Sequence, residues 1–314
     1  MRLPKHMSGI IVKYDFAYIG PSWAVQSYSS ALGLEDKIKI NIGEMFSEEF
    51  GYGLGHKRKL WLACMSVSNF WCVEEIRRHL KRYPNIPIIW LTCEPLGDLY
   101  YNSKKHDMSW PYYQEDEILD DGSSVEDFVE TLLCQGDWLK SRSKLFDMSL
   151  KRMNDLGHPI GILGSHCDIF PEQVEQYENL TVIEPSWQKH IAERCGIKPL
   201  QNYIGADFYH QTVKIFLKDK EVIKHMNENN IDKHMHDPKK SGKLMDIIMS
   251  RKKIDWESKI DSDLINTVYD VYNHWERFEE QKLFNWVHPN RQGNKIFYDK
   301  VKYKIKEFID DNKK

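Results

Sequence analysis

Long apolar runs are absent from the chain. The longest, such as Ile86–Leu91, have the length of a strand and fall far short of the roughly 20 residues that a bilayer-spanning helix needs. No integral membrane protein is therefore expected, and no membrane partner. Charge of one sign is missing too: the net charge is −3 over 314 residues, which supplies no basic field to draw in nucleic acid. Cysteine is scarce. Cys64, Cys72, Cys93, Cys134, Cys167 and Cys195 contain no CxxC pair and sit mostly in apolar segments, as buried free thiols do in a reducing compartment. The opening Met1-Arg2-Leu3-Pro4-Lys5-His6 leads into no apolar stretch of signal-peptide length, so a cytoplasmic location is expected, with a virion-associated one as the alternative. No internal repeat is visible. What remains is ordinary globular composition, 41% hydrophobic and 29% charged, which excludes a wholly disordered chain.

Over the first 200 or so residues, short β-rich runs alternate with helical patterns. Tyr14–Ile19, Lys37–Ile42, Lys59–Met65, Ile86–Thr92, Pro159–Leu163 and Leu180–Ile183 read as strands. Most are continuously apolar, as strands covered on both faces are. Phe70–Tyr83 has apolar residues at helical spacing, with Glu74, Glu75, Arg77 and Arg78 on its other side, and Val125–Leu156 reads as one or two further helices. Strand and helix in repetition predict a three-layer α/β/α fold around a parallel sheet. In such a fold, ligands bind at the carboxyl ends of the strands.

Two stretches interrupt the pattern. Tyr100–Ser124 is acidic and aromatic-rich, and loops of that length inside a compact domain tend to be functional or disordered. Residues 203–282 form a charged, helix-rich insertion, after which the core pattern returns at Phe284. The expected organisation is one α/β domain over 1–202 and 283–314, interrupted by the insertion over 203–282. His225, His234 and His236 lie in that insertion among charged residues. Without convergent Cys or carboxylate partners they read as a solvated helical face, so no metal and no cofactor are expected. Lys239-Lys240-Ser241-Gly242-Lys243 lacks the upstream glycine and the preceding strand of a phosphate loop.

Two short motifs carry chemistry. The first strand runs into Gly20-Pro21-Ser22. A glycine two residues before a serine lets the chain turn sharply at a strand end and present the hydroxyl at the sheet edge, where a nucleophile needs it. Taken alone, a serine capping the first helix explains the same residues. Near the other end, His288-Pro289-Asn290-Arg291-Gln292-Gly293 precedes the amphipathic helix Lys295–Ile309, so the imidazole sits in a constrained turn facing a site or capping the helix.

Together these two blocks resemble the SGNH (GDSL-like) hydrolase family, in which a serine follows the first strand and a His-Pro-Asn-x-x-Gly stretch precedes the last helix. The resemblance spans about 1–190 and 284–310, and implies the flavodoxin-like sandwich of that family. It places the nucleophile on Ser22 and the base on His288, with Asn285 where the family has an acid three residues before the histidine. Leu62–Asn69 is similar to the second block, which implies oxyanion donors at Ser22 and Ser66 and a side-chain donor at Asn69. Thr92-Cys93-Glu94-Pro95 is similar to a Thr-Glu-Pro stretch of phage-type relatives, and His166 follows the next strand at the expected rim. Pro21 stands where the family has Asp, and no Asn occurs near Glu94.

The activity this implies is ester hydrolysis, with Ser22 attacking and His288 moving the proton. The expected substrate is a small-molecule or glycan ester such as an O-acyl group on a carbohydrate. Trp110, Tyr112 and Tyr113 are the candidate sugar platform, beside Glu94 and His166. An Asn at 285 orients an imidazole but supplies no charge to imidazolium, and in a serine protease the corresponding Asp-to-Asn change costs about 10⁴ in kcat. A catalytically impaired protein that keeps the fold for binding or virion assembly is therefore the alternative. A glycan-modifying transferase using the same serine and histidine is a third reading.

Overall fold

The computed structural model describes residues 15–24, 41–52, 68–101, 118, 122–124, 138–205, 220–228, 262–285 and 288–313. Within them lies a parallel sheet of four strands in sequential order: β1 (Ala17–Ile19), β2 (Ile88–Leu91), β3 (Ile160–Leu163) and β4 (Leu180–Glu184). The register pairs Ala17 with Ile88, Ile88 with Ile160 and Ile160 with Leu180. It shifts between Ile162 and Leu163, where β4 bulges.

Alternation along each strand separates two cores. Ala17, Ile19, Ile88, Trp90, Ile160, Ile162 and Leu180 face one side. There they meet α2 (Asn69–Leu80) through Cys72, Val73 and Ile76, α3 (Trp138–Asn154) through Phe146, Leu150 and Met153, and the short α4 (Pro171–Val174) through Val174. Phe16, Tyr18, Ile89, Leu91, Leu163 and Ile183 face the other side. That side is covered by α1 (Ile42–Phe50), α5 (Trp187–Arg194), α7 (Ser262–Glu280) and α8 (Arg291–Asn312). A further helix, α6 (Lys220–Glu228), follows α5, and β5 (Phe284–Asn285) pairs antiparallel with β6 (His288–Pro289). The α/β class and the parallel sheet expected from the apolar runs are thus present, with helices on both faces.

The helix starts follow from their caps. Ser68 accepts a hydrogen bond from the Trp71 amide at 3.1 Å, Asn41 from Glu44 at 2.9 Å and Ser186 from Lys189 at 3.2 Å, each satisfying an N–H that the first turn leaves open.

One boundary differs from the sequence reading: Ile42, expected at the end of a strand, opens α1, because Asn41 caps a helix there and Gly51 closes it with φ 68°. Where the 203–282 stretch is described, part of it joins the core of the sheet. Tyr203, Ile204 and the α7 residues Leu264, Val268, Val271, Trp275 and Phe278 belong to the same core as β1 and β2. The apolar stripe of α7 recurs every three or four residues from Leu264 to Phe278, inside a stretch otherwise rich in charge. The expected strand Lys59–Met65 lies outside the described residues. No helix among the described residues is long and apolar enough to cross a membrane.

Candidate functional site

The carboxyl ends of the strands carry the candidate site. After β1 the chain turns through Gly20 and Pro21 into a single 3-10 turn, Ser22–Ala24, closed by the Ala24 amide donating to the Pro21 carbonyl at 2.8 Å. Gly20 is there because a Cβ would stand 2.6 Å from Leu91 Cβ. The Asn41 side chain donates to the Ala24 carbonyl at 3.0 Å, fixing the end of this turn to the start of α1. The Ser22 backbone is described, while its side chain lies outside the described residues, as do Ser66, Trp110, Tyr112, Tyr113, His234 and His236 and the side chain of His225.

His288 reaches the same end of the sheet from the far end of the chain. It opens β6, which packs against the Ser22–Ala24 turn. The spacing of Asn285 and His288 is that of a tight hairpin, in which the two residues stand directly opposite each other. The Asn285 side chain also lies outside the described residues. His288 is buried, with 7% of its surface exposed.

The rest of the motif builds the hairpin and the helix start. The Asn290 side chain accepts from the amides of Gln292 (2.9 Å) and Gly293 (3.1 Å), and it donates to the Lys282 carbonyl at 2.7 Å. Gly293 packs so closely that a Cβ there would come within 2.3 Å of the Leu283 carbonyl oxygen.

Trp23, next to Ser22, forms the hub of the site floor. Its ring meets His166 at 4.8 Å, Trp187 at 5.2 Å and Phe284 at 5.6 Å, all edge to face, and Tyr203 at 6.1 Å. The loop after β3 is held over β2 by Thr92. Its hydroxyl donates to the Cys167 carbonyl at 3.1 Å and accepts from the Ser165 amide at 3.0 Å, while its carbonyl accepts from the His166 amide at 3.3 Å.

Two of the expected site residues are held by the scaffold. Asn69, expected as an oxyanion-stabilising amide, opens α2 with both amide hydrogens engaged, donating to the Cys93 carbonyl and to Asp98 Oδ2 at 3.3 Å each, while its oxygen accepts from the Cys93 amide at 2.8 Å. It ties the helix to the loop after β2.

Glu94, expected at the substrate, is 2% exposed, and both its oxygens accept hydrogen bonds. Oε1 accepts from Arg142 Nε at 2.7 Å and from the Leu96 amide at 3.4 Å, while Oε2 accepts from Arg142 Nη2 at 3.1 Å and the Gly205 amide at 2.9 Å. This is a fork-to-fork pair. Burial works against the charge of Arg142, but Glu94 outweighs it and holds the guanidinium above its ordinary value.

Arg142, Tyr203, Gly205 and Asp168 complete this end of the sheet and were missed in the sequence. Arg142 carried a usable signal: it falls four residues after Trp138 and four before Phe146, on the buried stripe of α3, where an arginine needs a buried partner. Asp168 donates no such pattern. Its Oδ2 accepts from Gln188 at 3.0 Å, and burial pushes its carboxyl up to about 6 against hydrogen bonds from Ser186 and Gln188 and the charge of Arg142.

Among the described residues no group of His, Cys, Asp and Glu is arranged to hold a metal ion. Cys72, Cys93 and Cys167 are buried free thiols, the first two with sulfurs 3.8 Å apart. No family model, curated protein or solved structure matches the chain.

Proposed function

We propose that the protein is a serine hydrolase of the SGNH type that cleaves an ester, with an O-acyl group on a carbohydrate as the substrate class. One observation carries the reading: the strand bearing His288 packs against the turn bearing Ser22, at the carboxyl edge of a parallel sheet, although 265 residues separate the two in the chain. That edge is where α/β folds bind ligands. In the proposed reaction Ser22 Oγ attacks the ester carbonyl as His288 takes its proton. The proton passes to the leaving alcohol, and water then releases the acid from the acyl-serine by the same steps in reverse. The Ser22 and Ser66 amides hold the oxyanion. The flavodoxin-like arrangement of the family accommodates the parallel sheet and its two helical layers.

The burial of His288, together with Asn285 opposite it, favours a second reading, in which the fold is kept for binding or assembly and hydrolysis is lost. A fluorophosphonate probe separates the two. The hydrolase reading expects covalent labelling that disappears in Ser22→Ala and slows about 10²–10⁴-fold in His288→Ala. A folded wild-type protein that takes no label overturns it.

A further inference from the structure

The ring of Trp23, the residue after Ser22, is where the two halves of the proposed site meet. It lies edge to face on Phe284 at 5.6 Å, and Phe284 pairs with Pro289 in the hairpin that carries His288. It also meets His166 at 4.8 Å and Tyr203 at 6.1 Å. Those two neighbours come from other parts of the chain, and one buried ion pair holds both. Arg142 Nη2 donates to the Tyr203 carbonyl at 2.7 Å, while Nε and Nη2 donate to the two oxygens of Glu94 at 2.7 and 3.1 Å. Glu94 Oε2 accepts in turn from the Gly205 amide at 2.9 Å. Gly205 lies so close on His166 that a Cβ there would stand 3.1 Å from His166 Cβ and 3.2 Å from its Nδ1. Trp23, Glu94, Arg142, His166 and Tyr203 are all buried. In a close-packed interior, shifting one such group shifts those packed on it.

We propose that Arg142 is a positioning residue of the site: paired with Glu94, it fixes Tyr203 and His166 against Trp23 and so sets the approach of the Ser22 turn to His288. This role rests on the hydrolase reading. A reacting pair misplaced by about 1 Å loses about 10²-fold in rate, even when the cause lies away from the chemistry. Arginine suits the task because its planar fork fixes direction as well as charge. A lysine in its place keeps the charge and loses the fork. The footing is rigid, since Arg142 stands between Trp138 and Phe146 on the buried stripe of α3.

The test is fluorophosphonate labelling of wild type, of Arg142→Lys and of a double variant, Arg142→Met with Glu94→Gln, which removes the pair without leaving one charge buried alone. Labelling at one pH is resolved into a limiting rate and a half-saturating probe concentration, and circular dichroism checks the fold. Ile162→Val, in the core on the other face of the sheet, is the control. The limiting rate is expected to fall about tenfold in Arg142→Lys and about 10²-fold in the double variant. The half-saturating concentration stays unchanged, and Ile162→Val labels at the wild-type rate. If the double variant does not fold, Arg142→Lys alone decides. A folded variant that keeps the wild-type limiting rate overturns the proposal, because the pair then serves the fold alone. So does a change confined to the half-saturating concentration, or an equal fall in Ile162→Val. These outcomes leave the hydrolase reading standing. A folded wild type that takes no label removes that reading, and the positioning role with it.

Discussion

The two faces of the sheet are built from different parts of the chain and from different side chains. On one face α2, α3 and α4 each connect a strand to the next, and the core is aliphatic, with Val73, Ile76, Leu150, Met153, Ile160 and Ile162 around Trp90 and Phe146. On the other, α1 is joined by α5, α7 and α8, all of which come after the last strand of the sheet, and the core is aromatic, with Phe16, Phe46, Trp187, Phe278, Phe284 and Phe297 among its members. Right-handed crossovers between parallel neighbours place their helices on one side, so the opposite side must be covered by whatever the chain still has. Here it is the C-terminal helices. The consequence reaches the site: the helix that closes the aromatic face starts just after His288, and this brings the end of the chain to the turn that follows its first strand.

The sharpest way to break that comparison is to set the loss of a whole indole on the aromatic face beside the loss of one methyl group on the aliphatic face. Trp187 is fully buried, stacked on Phe297 at 4.4 Å and set edge to face against Trp23 at 5.2 Å. Trp187→Ala is expected to cost about 3–5 kcal/mol, whereas Ile162→Val on the aliphatic face costs about 0.5–1.5 kcal/mol. Urea unfolding of the two variants measures both. Equal losses would show that the aromatic face collapses around the missing indole and leaves almost no cavity.

The aliphatic face has its own polar anchor, and its signature is a dependence on pH. Asp98 accepts from the Phe70 amide at 2.8 Å, Asn69 Nδ2 at 3.3 Å and the Ser149 hydroxyl at 3.0 Å, joining α2 to α3 through the loop after β2. Burial nevertheless pushes its carboxyl up to about 7, above what those donors and Ser68 pull down. A folded-state value above the ordinary one of about 4 means that the native state is favoured while the acid is protonated, and that this advantage is lost as pH climbs from about 4 to about 7.

His79, at the end of α2, titrates in the opposite sense. Burial first, then the charges of His158 and Arg82, lower it to about 4. The unfolded chain therefore takes the proton first, and stability falls as pH drops from about 6.5 towards 4. In wild type the two trends offset each other, and Asp168 adds to the first. Melting temperature followed from pH 4 to pH 8 is expected to fall more steeply on the acid side in Asp98→Asn, and to fall mainly on the neutral side in His79→Gln. Parallel profiles in all three proteins would remove both groups from the account.

The aliphatic face was largely legible in the sequence and the aromatic one only in parts. Ile86–Thr92 and Pro159–Leu163 announce β2 and β3 because strands covered on both faces are continuously apolar. Phe70–Tyr83 announces α2 because its buried residues recur at helical spacing. The helical period of α7 is legible in Leu264, Val268, Val271 and Trp275, whereas its role is not, since its partners lie far away in sequence. The same holds at the site. Ser22 and His288 stand out by their local turns, whereas Arg142 and Gly205 matter through bonds to Glu94, and Tyr203 through its bond from Arg142, all made across 48 or more residues. Such a pair shows at most one partner locally, as Arg142 does on the buried stripe of α3, and never the contact itself.

The smallest effect separates site from scaffold within six residues. In His288-Pro289-Asn290-Arg291-Gln292-Gly293, Asn290 caps α8 and holds the Lys282 carbonyl, while His288 faces the turn after β1. Asn290→Ala removes the cap and is expected to cost about 1 kcal/mol, within the range for such losses. Asn290→Asp keeps the acceptor for the Gln292 and Gly293 amides, loses only the donor to Lys282, and falls between the two. If the asparagine serves the helix alone, fluorophosphonate labelling persists in Asn290→Ala under conditions where the protein remains folded. His288→Ala gives the opposite pattern, with labelling slowed about 10²–10⁴-fold under conditions where the protein remains folded. Loss of labelling in Asn290→Ala at unchanged stability would mean that the cap also sets the approach of His288 to Ser22, and the motif would then act as one unit in which the start of the last helix positions the base.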